Sequence, residues 1–149
     1  MDDINRYVAE SMAERFGVTT GEYMDAMGIL PKVNGTPVYE YAKSHKDDLD
    51  MMLECCRAIE NVYWSYGNMK MSPEPRYFER AAILSAKAKD FPGEVAICER
   101  WIDMAEDFKK WLKSKPKNVM ADVTKGPVSK RIYARLPKAQ AKIKDQGEG

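Results

Sequence analysis

Apolar residues recur every three or four positions along most of the first 112 residues, which is the period of an amphipathic helix. The first run follows Asp2 and Asp3, either of which can cap a helix, and stops at Gly17, a residue suited to a helix end. Its apolar positions are Ile4, Val8, Met12 and Phe16, with Tyr7 beside them. The pattern therefore predicts a first helix that ends at Gly17.

Capping and turn residues predict the next two elements. Thr19 and Glu22, three positions apart, match a capping box for a short helix that stops at Gly28. Residues 34–37, Asn-Gly-Thr-Pro, mark a turn, and the Thr-Pro pair suits the N-cap and first residue of a brief helix through Tyr41.

Three longer helices are predicted after this point. They cover about 46–66, which is the longest, about 72–89 and, after a turn at 90–93, the residues up to about Lys113. Residues predicted to face the core on the first and last of these are Leu49, Met52, Leu53, Cys56, Ile59, Tyr63, Tyr66, Val95, Cys98, Trp101, Ile102, Ala105, Phe108 and Leu112. No segment between residues 1 and 112 alternates between apolar and polar residues with the period of two that a strand requires. We therefore predict an all-α fold. It is a small helical bundle of about five helices with a basic, partly disordered C-terminal tail.

The composition is that of an ordinary globular protein, with 44% hydrophobic and 32% charged residues among 149. No apolar run approaches the roughly 18 residues needed to span a bilayer, and the acidic N-terminus lacks the apolar core of a secretory signal. The cysteines, Cys55, Cys56 and Cys98, form an odd and partly adjacent set that argues against a disulfide framework. We therefore expect a cytoplasmic protein with no membrane partner.

The net charge of +1 combines two oppositely charged regions. Residues 113–149 hold ten Lys or Arg and three Asp or Glu, a net +7, whereas residues 1–112 hold 14 and 20, a net −6. The sequence thus predicts an acidic all-α body over residues 1–112 and a basic C-terminal tail over residues 113–149.

The basic tail carries the main candidates for nucleic-acid contact, because Lys and Arg bind phosphates. These candidates are Lys130, Arg131, Arg135, Lys138, Lys142 and Lys144. Ser129 can cap a short amphipathic helix here, one that either docks on the acidic body or becomes ordered on a partner. The apolar face of that helix would hold Val128, Ile132 and Leu136. A β-hairpin through residues 125–127, a solvated disordered tail and intramolecular pairing with the body remain open as alternatives.

Residues 11–28, SMAERFGVTTGEYMDAMG, place a small residue, Ala13, four positions before Gly17. The segment resembles the helix-turn-helix of bacterial transcription regulators, especially the gluconate-repressor type. The resemblance places Ala13 where the two helices touch and Gly17 in the left-handed turn between them. It places at buried positions Met12, Phe16, Val18, Tyr23 and Ala26.

The second helix of this segment departs from what DNA recognition requires. The resemblance makes Thr19 and Thr20 candidate nucleic-acid-binding residues. Glu22 and Asp25 lie on the same short helix, however, and two carboxylates would repel a polyanion. The sequence therefore supports a helix-turn-helix shape better than a helix-turn-helix function.

Residues 77–108 are similar to a single tetratricopeptide-type helical hairpin. The similarity depends on the small residues Ala82 and Ala96, a Lys-Asp-Phe turn and an alanine-rich first helix. Small residues let antiparallel helices approach closely. Because no second copy occurs at an offset of about 34 residues, the similarity implies one α-hairpin of the core and not a peptide-binding array. Neither resemblance extends to the whole chain.

No catalytic, metal or cofactor motif stands out. His45 is the single histidine, and its neighbour Ser44 is not expected to face it, because adjacent residues on a chain point apart. The cysteines lack the C-x2-C spacing of a zinc site, and Cys56 and Cys98 fall on apolar stripes. We therefore predict a non-enzymatic protein with no catalytic residues, metal or cofactor.

Two functions fit this layout. The first is nucleic-acid binding through the basic tail, supported by the N-terminal helices. The second is a protein–protein adaptor or inhibitor that sets the acidic body against a basic surface of its target. In size and charge the chain is similar to regulatory and accessory proteins of phages and mobile elements.

Overall fold

The computed structural model describes residues 3–65, 70–115 and 121–148, with the backbone alone for 3–9, 20, 21 and 148. Helices hold about three quarters of the described residues. The α-helices are α1 Asp3–Phe16, α2 Thr20–Ala26, α3 Tyr41–Ser44, α4 Leu49–Ser65, α5 Arg76–Lys87, α6 Phe91–Lys113 and α7 Pro127–Glu148. The remaining elements in these ranges are the 3-10 helices Val38–Glu40 and Val123–Lys125 and the strands β1 Lys32–Val33 and β2 Thr36–Pro37.

The all-α prediction is confirmed for the described part of the chain, but seven helices exceed the predicted five. Short helices near α2 and α3 are already predicted from capping and turn residues, so the addition is α7, which lies in the segment predicted as a tail. α6 and α7 have 23 and 22 residues, so the 17-residue α4 is not the longest helix, contrary to the prediction. Asp2, predicted to cap α1, and Tyr66, predicted to end α4, lie outside the described residues.

β1 and β2 form a hairpin at the point where the sequence predicts the start of a helix. Val33 lies opposite Thr36 in the antiparallel pair. Asn34 and Gly35 have φ angles of 51° and 79°, the positive values that a type I′ turn requires at both central positions. The Thr-Pro pair therefore belongs to β2, and the helical conformation starts only at Val38. The helix start predicted at 36–37 is wrong because the Asn-Gly turn reverses the chain direction, so that residues 36–37 pair with β1 as a strand.

Two of the longer helices begin later than predicted. α4 begins at Leu49 instead of about Lys46, and α5 begins at Arg76 instead of Ser72. The backbone carbonyl of Lys46 accepts a hydrogen bond from Arg80 Nε at 2.5 Å, which ties the turn before α4 to α5. The proline-containing segment before α5 has no regular secondary structure. Ser72 and Glu74 each precede a proline, and a residue in that position is disfavoured in the helical conformation.

α6 lies at the centre of the core because it packs against α5 on one side and α7 on the other. Positions predicted to face inward that are buried are Met52, Cys56, Ile59, Tyr63, Cys98, Trp101, Ala105 and Phe108. Those that are only half-buried are Leu49, Leu53, Val95, Ile102 and Leu112. Because α6 contacts a helix on each of two sides, more of its circumference is buried than one apolar stripe predicts. Ile97 and Met104 are buried for this reason, although the sequence pattern does not place them among the core-facing positions.

α5 and α6 form the predicted α-hairpin, with a short connection. Lys89 follows α5 with a φ of 59°, and its N–H donates to the Ala86 carbonyl at 2.9 Å. The Asp90 side chain then accepts from Gly93 N at 2.9 Å and caps α6. Residues 90–93, predicted as a turn, are therefore the first turn of α6. Ala82 is buried in the hairpin, but Ala96 is exposed and does not bring the two helices together.

The Lys89→Gly substitution is expected to stabilise the protein by about 0.5–1 kcal/mol, because a side chain at positive φ is strained and glycine is not. Urea unfolding followed by circular dichroism measures the change. Lys87→Gly is the matched control, since Lys87 is the last residue of α5 and glycine there is expected to destabilise the protein. Equal effects of the two substitutions would contradict the assignment of strain to Lys89.

Candidate functional site

α7 is fixed to the core by one apolar face. Ile132 is fully buried, and Ser129 and Ala139 are almost so. Val128 and Leu136, predicted on the same face as Ile132, also pack against the core. The sequence leaves several conformations open for the basic segment. Residues 127–148 adopt one of them, an amphipathic helix docked on the body. Residues 123–125 form a 3-10 helix in place of the β-hairpin considered there.

Two ion pairs connect α7 to the acidic residues of the core helices. Arg131 donates from Nε to Glu79 Oε2 at 2.6 Å and from its terminal nitrogen to Oε1 at 3.1 Å, so this pair with α5 is bidentate. Arg135 donates to Glu94 Oε2 on α6 at 2.6 Å. The hydrogen bond to Glu79 raises the pKa of Arg131 above its usual value. Both arginines predicted to contact phosphate are therefore engaged by carboxylates of the same chain.

The lysines of α7 are placed differently from the arginines. Lys130, Lys138 and Lys144 are exposed and form no ion pair with any residue that the structure describes. Lys142 Nζ lies 5.0 Å from the centroid of the Phe91 ring, in the range of a cation–π contact. The lysines thus keep most of their charge available to a partner.

Four of the six predicted basic residues meet in one groove between α7 and the α5–α6 hairpin, which we call the basic groove. Its volume is about 400 Å³. α7 contributes Arg131, Arg135, Lys138 and Lys142, and the opposite side contributes Glu79, Ile83, Ala86 and Glu94. Lys130 and Lys144 lie outside this lining. Four cations therefore face two carboxylates, which leaves the groove with an excess of positive charge.

Pro137 lies inside α7 on its exposed side. Proline has no backbone N–H, so the carbonyl of Tyr133, four residues earlier, has no helical donor at this point. The Tyr133 hydroxyl donates to Glu106 at 2.5 Å and burial, together with this bond, raises the pKa of Tyr133. The Tyr133 side chain therefore holds the first half of α7 against α6, although the backbone hydrogen bonds of α7 are interrupted at Pro137.

The α1–α2 corner has the local geometry that the sequence predicts. Gly17 has a φ of 70°, and Val18 N donates to the Ala13 carbonyl at 3.0 Å, which closes the end of α1. The capping box is present, since Glu22 N donates to Thr19 Oγ1 at 3.0 Å and Thr19 N donates to the Glu22 carboxylate at 3.2 Å. Thr20 is the first residue of α2, and its side chain lies outside the description.

The residues of this corner are not gathered with the basic residues of α7. The Thr19 hydroxyl is used as a helix cap, and Asp25 forms an ion pair with Lys32 at 2.8 Å. Within the described ranges, no hydrogen bond or ion pair joins the corner to α7. Of the positions that the helix-turn-helix resemblance makes buried, Phe16, Val18 and Ala26 are exposed, and Met12 and Tyr23 are only half-buried.

The sequence does not predict a second concave site, which is an apolar cavity of about 290 Å³. Residues of the segment 24–39, of α4 and of the segment 71–77 line it. Ser72 lines this cavity and is 8% exposed, and its hydroxyl has no hydrogen-bond partner among the described residues. Its walls come from segments that are distant in sequence, so periodicity within one helix carries no signal for it. The Ser72-Pro73 dipeptide at its edge is the residue pair predicted to open α5.

Of the candidate side chains for metal binding or nucleophilic chemistry, the cysteines lie in the core and His45 lies at the end of α3. Cys55, Cys56 and Cys98 are free and buried, and burial raises the pKa of both Cys55 and Cys98 to about 11. Contrary to expectation, His45 does contact its neighbour, with Nδ1 2.7 Å from Ser44 Oγ, because the chain turns at this point. No cluster of potential metal ligands occurs in the parts of the chain that the structure describes.

Of the helices within the described ranges, none combines the length and the apolar character needed to cross a membrane. Comparisons with protein-family models, with curated proteins and with solved structures found no match to this chain.

Proposed function

We propose that the protein is a small, non-enzymatic accessory or regulatory protein that binds nucleic acid through α7. The observation that carries this proposal is that α7 has one face buried against the core and basic side chains exposed on the rest of its surface. One face docks on the core through Ile132, whereas Lys130, Lys138 and Lys144 extend into solvent. Exposed lysines on a helix that is docked on the core suit contact with phosphates, which depends on charge and not on base sequence.

The arginines of α7 have a different role in this proposal from the lysines. Arg131 and Arg135 neutralise Glu79 and Glu94 and hold the helix in place. The lysines supply the net attraction for a polyanion. The α1–α2 corner, with Thr19 and Thr20, is at most a supporting element because Glu22 shares its short second helix. The free, buried cysteines support a reducing, cytoplasmic location.

The test is fluorescence anisotropy with a short labelled DNA duplex at several salt concentrations. We expect weak binding with little sequence preference and a steep dependence on salt. The triple variant Lys130→Gln, Lys138→Gln, Lys144→Gln should flatten the slope of log affinity against log salt by about 2–3 units, because each lost phosphate contact removes about 0.9.

The matched control is Lys43→Gln, Lys87→Gln, Lys110→Gln, which removes the same charge from three exposed lysines outside α7. This control should change the slope by much less than the α7 variant. Equal effects of the two triple variants would show that binding is not localised to α7. Failure of the parent protein to bind at low salt would overturn the nucleic-acid proposal. Deletion of residues 113–149 is not a suitable test, because it removes the buried Ile132 from the core.

A protein partner is the second candidate, and the exposed face of α6 favours it. Glu99, Asp103 and Glu106 are all exposed and follow one another at helical spacing, so they form an acidic ridge. Such a ridge suits a basic surface on a target protein. Partners that remain bound after nuclease treatment, and that the Glu99→Gln, Asp103→Asn variant loses, would favour this function over nucleic-acid binding.

A further inference from the structure

The apolar cavity is the most developed concave site outside α7. Its apolar lining comes from two groups of residues. Met24, Leu30 and Met71 belong to a small cluster around Met24 and Ile29, whereas Val38, Ile59 and Tyr77 belong to the main core. Small-molecule sites are typically concave and lined mainly by apolar side chains with a few polar groups. This space of about 290 Å³, open to solvent on one side, has that character.

Hydrogen bonds elsewhere hold the walls of this cavity in position. The Tyr63 hydroxyl donates to Asp107 at 2.7 Å, and Lys70 donates to the same carboxylate at 2.5 Å. Burial acts to raise the pKa of Asp107, but the hydrogen bonds from Lys70 and Tyr63 outweigh it and lower that pKa. The buried Trp101 indole donates to the Pro73 carbonyl at 3.3 Å, which fixes the segment that carries Ser72. The cavity is thus preformed, which reduces the entropy lost on binding.

Ser72 gives the cavity a polar group without a partner. Its hydroxyl is buried and lines the cavity, yet no described residue accepts or donates a hydrogen bond there. Buried polar side chains are almost always paired, and an unpaired one is costly. A bound molecule with one hydroxyl or carbonyl group would supply the missing bond.

The rim of the cavity indicates the charge of its ligand. Arg76 and Glu74 both line it, and their side chains form an ion pair at 3.8 Å. Because the Glu74 carboxylate is already engaged in ion pairing and most of the remaining lining is apolar, the cavity suits a neutral molecule better than an anion or a cation. Tyr39, which is 58% exposed, also lines the cavity and marks the side open to solvent.

We infer that this cavity binds a small neutral amphiphile, with an apolar body and one hydroxyl or carbonyl group that pairs with Ser72. The size follows from the volume, which is about twice the roughly 150 Å³ that holds benzene in an apolar cavity. Two fused six-membered rings, or an aliphatic body of similar size, therefore fill it. This inference does not depend on α7 or on nucleic-acid binding.

The test compares 2-naphthol with naphthalene as probes of the full-length protein, by ligand fluorescence and by thermal unfolding. The parent protein should bind 2-naphthol more tightly than naphthalene and should unfold at a higher temperature in its presence. Ser72→Ala should weaken 2-naphthol binding by about 2–12-fold, the value of one hydrogen bond, and leave naphthalene binding unchanged. Ser44→Ala, which alters an exposed serine, should change neither affinity.

The Ser72→Ala variant also has an expected effect without any ligand. Because it removes an unpaired buried hydroxyl, its thermal midpoint should equal or exceed that of the parent, whereas loss of a serine bonded within the fold would lower it. A second variant, Leu30→Trp, should fill the cavity and abolish binding of both probes. The inference is overturned if neither probe binds the parent, if both bind it equally well, or if Ser72→Ala lowers the thermal midpoint.

Discussion

Trp101→Ala is expected to destabilise the protein by about 3–5 kcal/mol, the cost of removing a fully buried aromatic side chain and leaving a cavity. Trp101 is fully buried in α6, and its ring meets Tyr133 of α7 edge to face at 5.9 Å. Its indole N–H also donates to the Pro73 carbonyl. The substitution therefore weakens α6, α7 and the segment before α5 together.

Chemical unfolding in urea, followed by circular dichroism, measures this loss. Trp64→Ala is the control, because Trp64 is 51% exposed and its removal should cost mainly its edge-to-face contact with Tyr63, about 0.5–1.5 kcal/mol. A small effect at Trp101, comparable with that at Trp64, would show that α6 is not the centre of the core.

Arg135→Met is expected to cost about 3 kcal/mol or more at neutral pH, because it leaves the Glu94 carboxylate buried without its cation. The Glu94 side chain is only 5% exposed and that of Arg135 is 29% exposed. The two residues join α7 to the first turn of α6. The double variant Arg135→Met, Glu94→Leu should regain most of the lost stability, since it removes both members of the pair.

Arg131→Met is the matched control for this prediction. Arg131 is also paired with a glutamate, but its side chain is 57% exposed and water can replace the interaction. Urea unfolding of all three variants should therefore rank Arg131→Met as the mildest. A double variant no more stable than Arg135→Met alone would indicate that the pair is not the reason for the loss.

Local signals in this sequence predict local structure well. The capping box of Thr19 and Glu22 and the left-handed Gly17 involve residues within four positions of each other, so the sequence contains all that determines them. The hairpin at 34–37 is harder to predict, because a Thr-Pro pair is compatible both with a helix start and with a strand that follows a turn.

Long-range contacts explain what the sequence could not show about the candidate site. Arg131 and Glu79 are 52 residues apart, and Arg135 and Glu94 are 41 residues apart. No spacing rule connects such residues, so the sequence counts all six basic residues as equivalent phosphate contacts. Only the fold separates the arginines that dock α7 from the lysines that remain exposed. The cavity around Ser72 is hidden for the same reason, since distant segments form its walls.

The proline within α7 divides this helix into two cooperative units. Before Pro137, opening the helix must expose Ile132 and break both arginine ion pairs, so it costs a large part of the global free energy of unfolding. After it, Ala139 is buried but residues 140–142 and 144–147 are exposed, and the interrupted hydrogen-bond ladder lets the end of the helix open alone. Lys142 and Lys144 therefore lie on a segment that we expect to open in hydrogen exchange before the rest of the protein unfolds.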